Sequence, residues 1–200
     1  MLFKHPISSF DKIQKGKYRP FNSNYLYYDK YFIESPGLSR TFFPREDSIN
    51  FIIVLSGSGS SKPFSTLITN THVCYDFIEK SQCFPLYYFE ENNKENPTLF
   101  DGANGEEKYI RRDGVSDFIL ERAKKQYGIK ARSAGQINKE DIFYYVYGIL
   151  HSPDYRNTFA NDLKKMLPRL PLVDDVRDFW KFSKAGRQLA ELHLNYEEVT

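Results

Sequence analysis

The sequence has few of the residues that mark secreted, membrane-bound or zinc-binding proteins. Among 200 residues there are only two cysteines, and no window approaches the run of about 18 apolar residues that a membrane span needs. The N-terminal stretch MLFKHPISSF has no long apolar core and no small-residue cleavage site, so it is not a secretory signal. Cys74 and Cys83 are too few for a disulfide scaffold or a zinc knuckle. These absences predict a protein of the reducing cytoplasm.

Charge and aromatic content are compatible with either a packed core or a recognition surface. The 28 basic and 26 acidic side chains give a formal charge of +2. This balance argues against a protein that coats nucleic acid indiscriminately, but it permits a local basic face. Aromatic residues make up 16% of the chain and include 15 tyrosines, which suit both a packed interior and a hydrated binding surface.

No familiar catalytic motif is present. The sequence lacks a dinucleotide-binding glycine pattern, a phosphate loop ending in Gly-Lys-Ser/Thr, a His-Glu-x-x-His motif and a nucleophile elbow. The run Gly57-Ser58-Gly59 resembles a phosphate cradle only superficially, because Pro63 and a strand-like run follow it where a helix N-terminus is required. We therefore predict a hairpin loop here, and no catalytic residue.

The sequence offers no convincing set of metal ligands. The four histidines, at positions 5, 72, 151 and 193, have no partner three or four residues on. Each is predicted to be a hydrogen-bonded structural residue. Asp101 followed by Glu106-Glu107-Lys108 has the residue order of a Mg²⁺-dependent nuclease. Because these acids fall in the most loop-like part of the chain, a metal-dependent nuclease is only a remote alternative.

Short apolar runs separated by turn residues predict strands in the first half of the chain. The runs are rich in β-branched and aromatic side chains and are interrupted by Asn, Ser, Pro and Gly. The best candidates for strands are residues 25–28, 49–55, 64–69 and 86–89. The polar residues 90–105 have no periodicity and contain several turn formers, so they predict a mobile connection or hairpin tip, with an ordinary surface loop as the alternative.

After Gly114 the hydrophobic period becomes that of a helix. Asn138 with Asp141 three residues on predicts one helix start, and Pro153 predicts another. The four predicted helices cover about residues 115–127, 139–151, 153–167 and 174–194. The buried face of the last is predicted to contain Val176, Phe179, Trp180, Ser183, Arg187, Leu189, Ala190 and His193. The predicted fold is α+β, with a strand-rich, mostly antiparallel N-terminal half packed with a helical C-terminal half.

Several motifs, in a fixed order, resemble one family. Residues 18–22 (YRPFN) and 25–29 (YLYYD) resemble the YRPFD…YYD segment at the start of the target-recognition region of type ISP restriction–modification enzymes. These enzymes fuse an adenine-specific DNA methyltransferase with a helicase-type ATPase and a nuclease. Residues 84–88 resemble the family's FPLY strand, and residues 142–156 its YVYGILHSPEYR helix pair. The resemblance continues through residues 160–165, 167–171 and 186–194.

The resemblance implies a C-terminal target-recognition, or specificity, domain at residues 17–200, after a leader at 1–16 from the upstream methyltransferase region. Its strand-rich part is expected at 17–105 and its helical part at 106–200. Since the motifs of the upstream domains are missing, we expect an excised, non-catalytic fragment without methylation, cleavage or ATPase activity. S-adenosylmethionine, ATP and Mg²⁺ are expected in the missing domains, and no cofactor in this fragment.

The resemblance also implies the partners. They are double-stranded DNA and the upstream methyltransferase domain of the same polypeptide, with no membrane involved. The isolated chain is expected to be a stable monomer that binds DNA weakly. The full enzyme would contact the duplex from both sides, and the phosphate contacts of the missing domains are absent here. The alternative from another class is a protein–protein coupling domain that holds the methyltransferase to the rest of the enzyme. That domain would show no salt-dependent binding to duplex DNA.

Two groups of residues are candidates for contacting DNA. Polar and basic side chains on loops and strand ends are expected to read bases in the major groove. This predicted reading set is Arg40, Arg45, Lys62, Asn70, Thr71 and His72. Residues 108–132 carry eight basic and three acidic side chains, which predicts either a solvated face or phosphate contacts. The predicted clamp on phosphates is Arg111, Arg112, Lys124, Lys125, Lys130 and Arg132.

Overall fold

Strands form the first half of the chain and helices the second. The structure, a computed structural model, describes residues 12–29, 31–33, 37–92, 108–128 and 136–198. The strands in these ranges are β1 (Ile13–Arg19), β2 (Asn22–Tyr27), β3 (Ile52–Leu55), β4 (Thr66–Thr69), β5 (His72–Val73), β6 (Gln82–Pro85), β7 (Tyr87–Glu91) and β8 (Tyr109–Asp113). The helices there are α1 (Ser39–Phe42), α2 (Asp117–Tyr127), α3 (Lys139–Leu150), α4 (Pro153–Thr158), α5 (Ala160–Leu163) and α6 (Val176–Leu194). The predicted α+β class is confirmed.

The described strands form three small sheets, with orders β2-β1-β5, β4-β3-β6 and β7-β8. Every pairing is antiparallel except that of β1 with β5, which is parallel. The prediction of a mostly antiparallel half is therefore confirmed. Because β1 begins at Ile13, the sheet starts before residue 17, where the sequence predicted the domain to begin. No helix among the described residues is long and apolar enough to cross a membrane.

Strand β3 lies between two hydrophobic cores. Ile52 and Val54 belong to a small strand core, which also contains Phe42, Phe43 and Phe77. The alternate residues of β3, Ile53 and Leu55, belong to a larger helical core that includes the buried side chains of α3 and α6. Successive side chains of a strand point to opposite faces, so one four-residue strand joins both cores. This explains why all of β3 is buried.

A buried asparagine ties the strand half together. Asn50 is 1% exposed, and its Nδ2 donates hydrogen bonds to the carbonyl oxygens of Phe42, at 3.1 Å, and Tyr87, at 2.6 Å. Its Oδ1 accepts a hydrogen bond from the Tyr87 backbone N–H at 3.0 Å. One side chain thus connects the end of α1 to the start of β7 and satisfies backbone groups that no strand partner reaches.

Helices α3 and α6 approach each other at backbone distance. A Cβ atom at Gly148 would overlap the Phe182 carbonyl oxygen, and one at Gly186 would overlap that of Tyr144. Glycine is required at both positions because nothing larger fits between the helices. Nearby, the rings of Tyr145 and Phe179 stack with centroids 4.7 Å apart. This helix pair is the centre of the helical core.

The predicted buried face of α6 is right in part. Phe179 and Ser183 are buried as expected, but Arg187 is exposed, which corrects the prediction. Its guanidinium lies 4.1 Å from the centroid of the Tyr144 ring and pairs with Glu140 at 2.6 Å. The buried position beside it belongs to Gly186, because the helix contact leaves no room for a long side chain there.

Other elements differ from the sequence prediction. Strands β1, β5 and β8 and helix α1 were not predicted, and the strand that the resemblance implied at residues 84–88 is divided between β6 and β7. The third predicted helix is broken at Phe159 into α4 and α5. β8 lies inside the part predicted to be helical. β5 has two residues and pairs with the distant β1, and β8 pairs with β7 across a long connection, so their local patterns carry little signal. β1 has seven residues and pairs with the adjacent β2, but its mostly polar sequence gives no clear strand pattern. Most of the predicted loop at 90–105 lies outside the described residues, as do the acids at 101, 106 and 107 of the nuclease pattern.

Candidate nucleic-acid interface

Arg40 borders a wide cleft at the edge of the strand half. It lies on α1, and its guanidinium carbon is 5.5 Å from the centroid of the Tyr28 ring. The cleft has a volume of about 1070 Å³ and is also lined by Gln14, Tyr88 and Glu91. It therefore presents hydrogen-bond donors and acceptors side by side, as the edges of base pairs do.

His72, another member of the predicted reading set, does not face solvent. The residue is 6% exposed, and its ring stacks on Tyr28 with centroids 4.4 Å apart. Its Nδ1 shares a hydrogen bond with Ser39 Oγ. Burial lowers the pKa of His72 to about 4, so the ring is neutral at neutral pH. In this conformation His72 does not reach a base; it supports α1, which carries Arg40.

The other members of the reading set occupy different places. Asn70 and Thr71 form the turn from β4 to β5, next to His72 and therefore near α1, and Asn70 is exposed. Lys62 is in the loop at the opposite end of β4. Arg45 follows α1, pairs with Asp47 at 3.2 Å and borders a depression that shares Gln14 with the cleft. Asn70 and Thr71 are thus connected to α1 through His72, and Lys62 lies at the opposite end of β4.

The loop that carries Lys62 is held by a carboxylate. It connects the antiparallel strands β3 and β4, so the predicted hairpin loop is confirmed. Glu79 accepts hydrogen bonds from the Ser61 backbone N–H at 2.9 Å and from Ser60 Oγ at 2.9 Å. These hydrogen bonds lower the pKa of Glu79 to about 2, and the bond from the Ser61 backbone N–H has the largest effect. The negative charge of Glu79 partly offsets the positive charge of Lys62 in this loop.

The predicted clamp is spread over several surfaces. Arg111 and Arg112 are consecutive in β8 and so project from opposite faces of the β7–β8 ribbon. The Arg111 guanidinium carbon lies 4.4 Å from the centroid of the Tyr87 ring, while Arg112 pairs with Glu90 at 3.0 Å. Among the residues that the structure describes, Arg112 therefore has a carboxylate partner and Arg111 has none.

The rest of the clamp lies on α2 or beyond it. Lys124 pairs with Glu121 at 3.1 Å, whereas Lys125 is exposed and has no ion-pair partner within the described ranges. Lys130 and Arg132 lie outside the described residues. The clamp thus stays a prediction; of its four described members, Lys125 and Arg111 have no carboxylate partner among the described residues.

Comparison with known proteins identifies the family. The sequence model of the type ISP C-terminal specificity domain matches residues 4–200. The chain belongs to this family. No curated protein matches the chain.

Three solved structures, each containing DNA or a DNA substrate mimic, are similar to this specificity domain. A cryo-EM structure of a DrdV–DNA complex is 30% identical over 98% of this chain, with a TM-score of 0.81. A nuclease-deletion mutant of the type ISP restriction–modification enzyme LlaGI, in complex with a DNA substrate mimic, is 31% identical over 97%, with a TM-score of 0.70. The ATP-dependent type ISP enzyme LlaBIII bound to DNA is 28% identical over 98%, with a TM-score of 0.76. The specificity domain spans 17%, 15% and 12% of these chains, respectively.

Sequence reasoning missed two residues of the cleft in the specificity domain. Gln14 and Tyr28 both line it, and both Gln14 Oε1 and the Tyr28 hydroxyl are buried without a hydrogen-bond partner among the described residues. Unpartnered buried polar atoms are uncommon in folded proteins. No local pattern marks these residues, because the pairing of β1 with β2 and the position of α1 bring them beside Arg40.

Proposed function

We propose that this chain recognises the DNA target sequence of a type ISP restriction–modification enzyme and holds the duplex in place for adenine methylation and ATP-dependent cleavage by other domains. The main support for this proposal is the similarity to three DNA-bound structures along 97–98% of the chain. The match to the sequence model of a specificity domain agrees with it. Likeness over almost the full length supports a shared role for the whole domain.

Base reading is assigned to the end of the strand half where α1 and the β4–β5 turn lie. The guanidinium of Arg40 suits two parallel hydrogen bonds to O6 and N7 of guanine. The side-chain amide of Asn70 suits a pair of hydrogen bonds to N6 and N7 of adenine. Thr71 and Arg45 flank them. Lys62 belongs to the reading set only if the duplex also covers the far end of β4. His72 does not contact a base itself; it supports α1, which carries Arg40.

Phosphate binding is assigned to the predicted clamp, with Arg111 and Lys125 as its strongest members. Chemical steps, with S-adenosylmethionine, ATP and Mg²⁺, belong to parts of the enzyme outside these 200 residues, and this domain needs no cofactor of its own. We further propose that the domain is a cytoplasmic monomer packed on the methyltransferase domain.

The test is duplex binding by the 200-residue chain, measured by fluorescence anisotropy across a salt series. The expected result is weak binding whose logarithm falls linearly with the logarithm of salt concentration. Arg40→Ala is expected to cost about 1–3 kcal/mol and to relax selectivity at one position of a randomised duplex. Arg177→Ala, an exposed arginine of α6 paired with Asp175, is the matched control. No binding even at low salt would refute the proposal.

An apolar surface favours the second candidate, a coupling domain. Phe118 on α2 is 76% exposed, and the same helix borders a groove of about 380 Å³ lined by Phe84, Ile119 and Leu167. Exposed apolar patches commonly mark protein interfaces. This role predicts binding to the methyltransferase domain that Phe118→Ser weakens, with no salt-dependent affinity for DNA.

A further inference from the structure

We infer that the β1–β2 hairpin is a contact surface for DNA phosphates, formed by Lys15, Lys17 and Arg19. The inference rests on the proposed function and adds a site outside both predicted sets. Its basis is a group of cations that share one hairpin and whose described partners are uncharged.

The hairpin presents these cations in a row. Lys15 and Lys17 are two residues apart on β1 and share a face, so their backbones are about 7 Å apart. Tyr25 is directly opposite Lys15 across the antiparallel pair and is 78% exposed. Arg19 follows after a shift in register, next to the turn, and is exposed. From Lys12 to Tyr28 the sequence has four basic residues and no acidic one.

In the described part of the chain, no carboxylate forms an ion pair with these three side chains, and Glu197 compensates the charge of Lys17 only in part. Lys17 Nζ donates to Ser23 Oγ at 3.3 Å and lies 4.8 Å from the centroid of the Tyr196 ring. Arg19 Nη1 donates to the Asp76 backbone carbonyl at 2.7 Å. Lys15 has no ion-pair partner in the described part of the chain. All of these partners are neutral groups.

Electrostatics at Lys17 supports the same conclusion. Burial, and then the charge of Lys15, lower the pKa of Lys17, while Glu197 acts in the opposite direction. Two like charges with little compensation repel each other, and an anion placed between them relieves that repulsion. Two members of the predicted clamp, Arg112 and Lys124, are instead paired with carboxylates.

Exposed tyrosines complete the surface. Tyr18 is 54% exposed and lies under the Arg19 guanidinium at 4.7 Å, and Tyr25 stands beside Lys15. Tyrosine hydroxyls and basic side chains are both common donors to phosphate oxygens. The hairpin therefore combines positive charge with hydrogen-bond donors, as a contact with the phosphate backbone requires.

The experiment compares two double variants of the 200-residue chain with equal loss of charge. Lys15→Gln with Arg19→Gln removes two hairpin cations. The control, Arg177→Gln with Lys181→Gln, removes two exposed cations of α6 that pair with Asp175 and Asp178. Binding to a fluorescent duplex of mixed sequence is measured across a salt series, and circular dichroism checks that both variants fold.

The hairpin variant is expected to flatten the salt slope by about two and to weaken binding evenly across duplex sequences. The control is expected to keep the wild-type slope. An unchanged slope in the hairpin variant, an equal change in the control, or loss of preference at a single base position would each overturn the inference while the proposed function stands. A wild-type chain that binds no duplex at low salt would refute both.

Discussion

The two halves of this domain are held together by different interactions. The helical half depends on apolar packing around two glycines where α3 and α6 touch. The strand half has a core of five buried residues and strands of two to seven residues, and buried polar side chains such as Asn50 and His72 connect them. The strand half also carries the cleft and the hairpin cations Lys15, Lys17 and Arg19. The difference indicates a packed scaffold beside a recognition surface positioned by hydrogen bonds.

The largest expected effect tests the packing of the helical half. Gly186→Val places two methyl groups where a single Cβ would already meet the Tyr144 carbonyl, so the helices must separate. We expect a loss of about 3 kcal/mol in the free energy of unfolding, measured by urea denaturation. Lys184→Ala, at an exposed position of the same helix, should stay within about 0.5 kcal/mol. A loss below about 1 kcal/mol for Gly186→Val would show that the helix contact is looser than described.

The matching test in the strand half removes its central hydrogen-bonding side chain. Asn50→Ala leaves the Phe42 and Tyr87 backbone groups buried without their partner. We expect a loss of about 2–3 kcal/mol in the free energy of unfolding. Asn70→Ala, the same substitution at an exposed turn, should change stability by less than about 0.5 kcal/mol. Equal effects of the two substitutions would mean that Asn50 does not hold the strand half together.

A third prediction concerns pH. The pKa of His72 is about 4 in the fold against 6.5 for a free histidine, so between these values the unfolded chain binds a proton that the folded chain does not. Its contribution to stability is complete above pH 6.5 and is lost as the pH falls toward 4. We expect a decrease on the order of 2 kcal/mol over this window.

The check is urea denaturation at several pH values for the wild type and for His72→Phe, which retains an aromatic ring against Tyr28. The variant should be less stable at neutral pH but show a shallower decrease on acidification. Burial also lowers the pKa values of His151 and His193, so a residual slope is expected. If stability decreased equally with falling pH in both proteins, His72 would not be a source of the pH dependence.

The smallest expected effect lies at a helix end. The Asn138 side chain accepts from the Asp141 backbone N–H, and the Asp141 carboxylate accepts from the Asn138 N–H in return. Asn138→Ala should cost about 1 kcal/mol, whereas Asn138→Ser should restore most of it. Measured against Asn50→Ala, this result separates a local hydrogen bond of the helical half from a long-range one of the strand half.

The sequence predicted the helical half well because its signals are local. The start of α3 at Asn138 and the start of α4 after Ser152 were read from neighbouring residues, and the capping contacts are present. The strand half was predicted as a class but not in detail. β1 and β5 form a parallel pair between residues about 55 positions apart, and no short window contains that information.

The candidate site divides in the same way. By itself, the sequence determined the family through its ordered motifs, the α+β class through hydrophobic period, and Arg40 and Asn70 as exposed polar candidates. Only the tertiary structure decided that His72 turns inward, that Gln14 and Tyr28 reach the cleft, and which cations lack a carboxylate partner. Periodicity and capping act between residues a few positions apart, whereas burial and charge compensation depend on which distant strands the fold brings together.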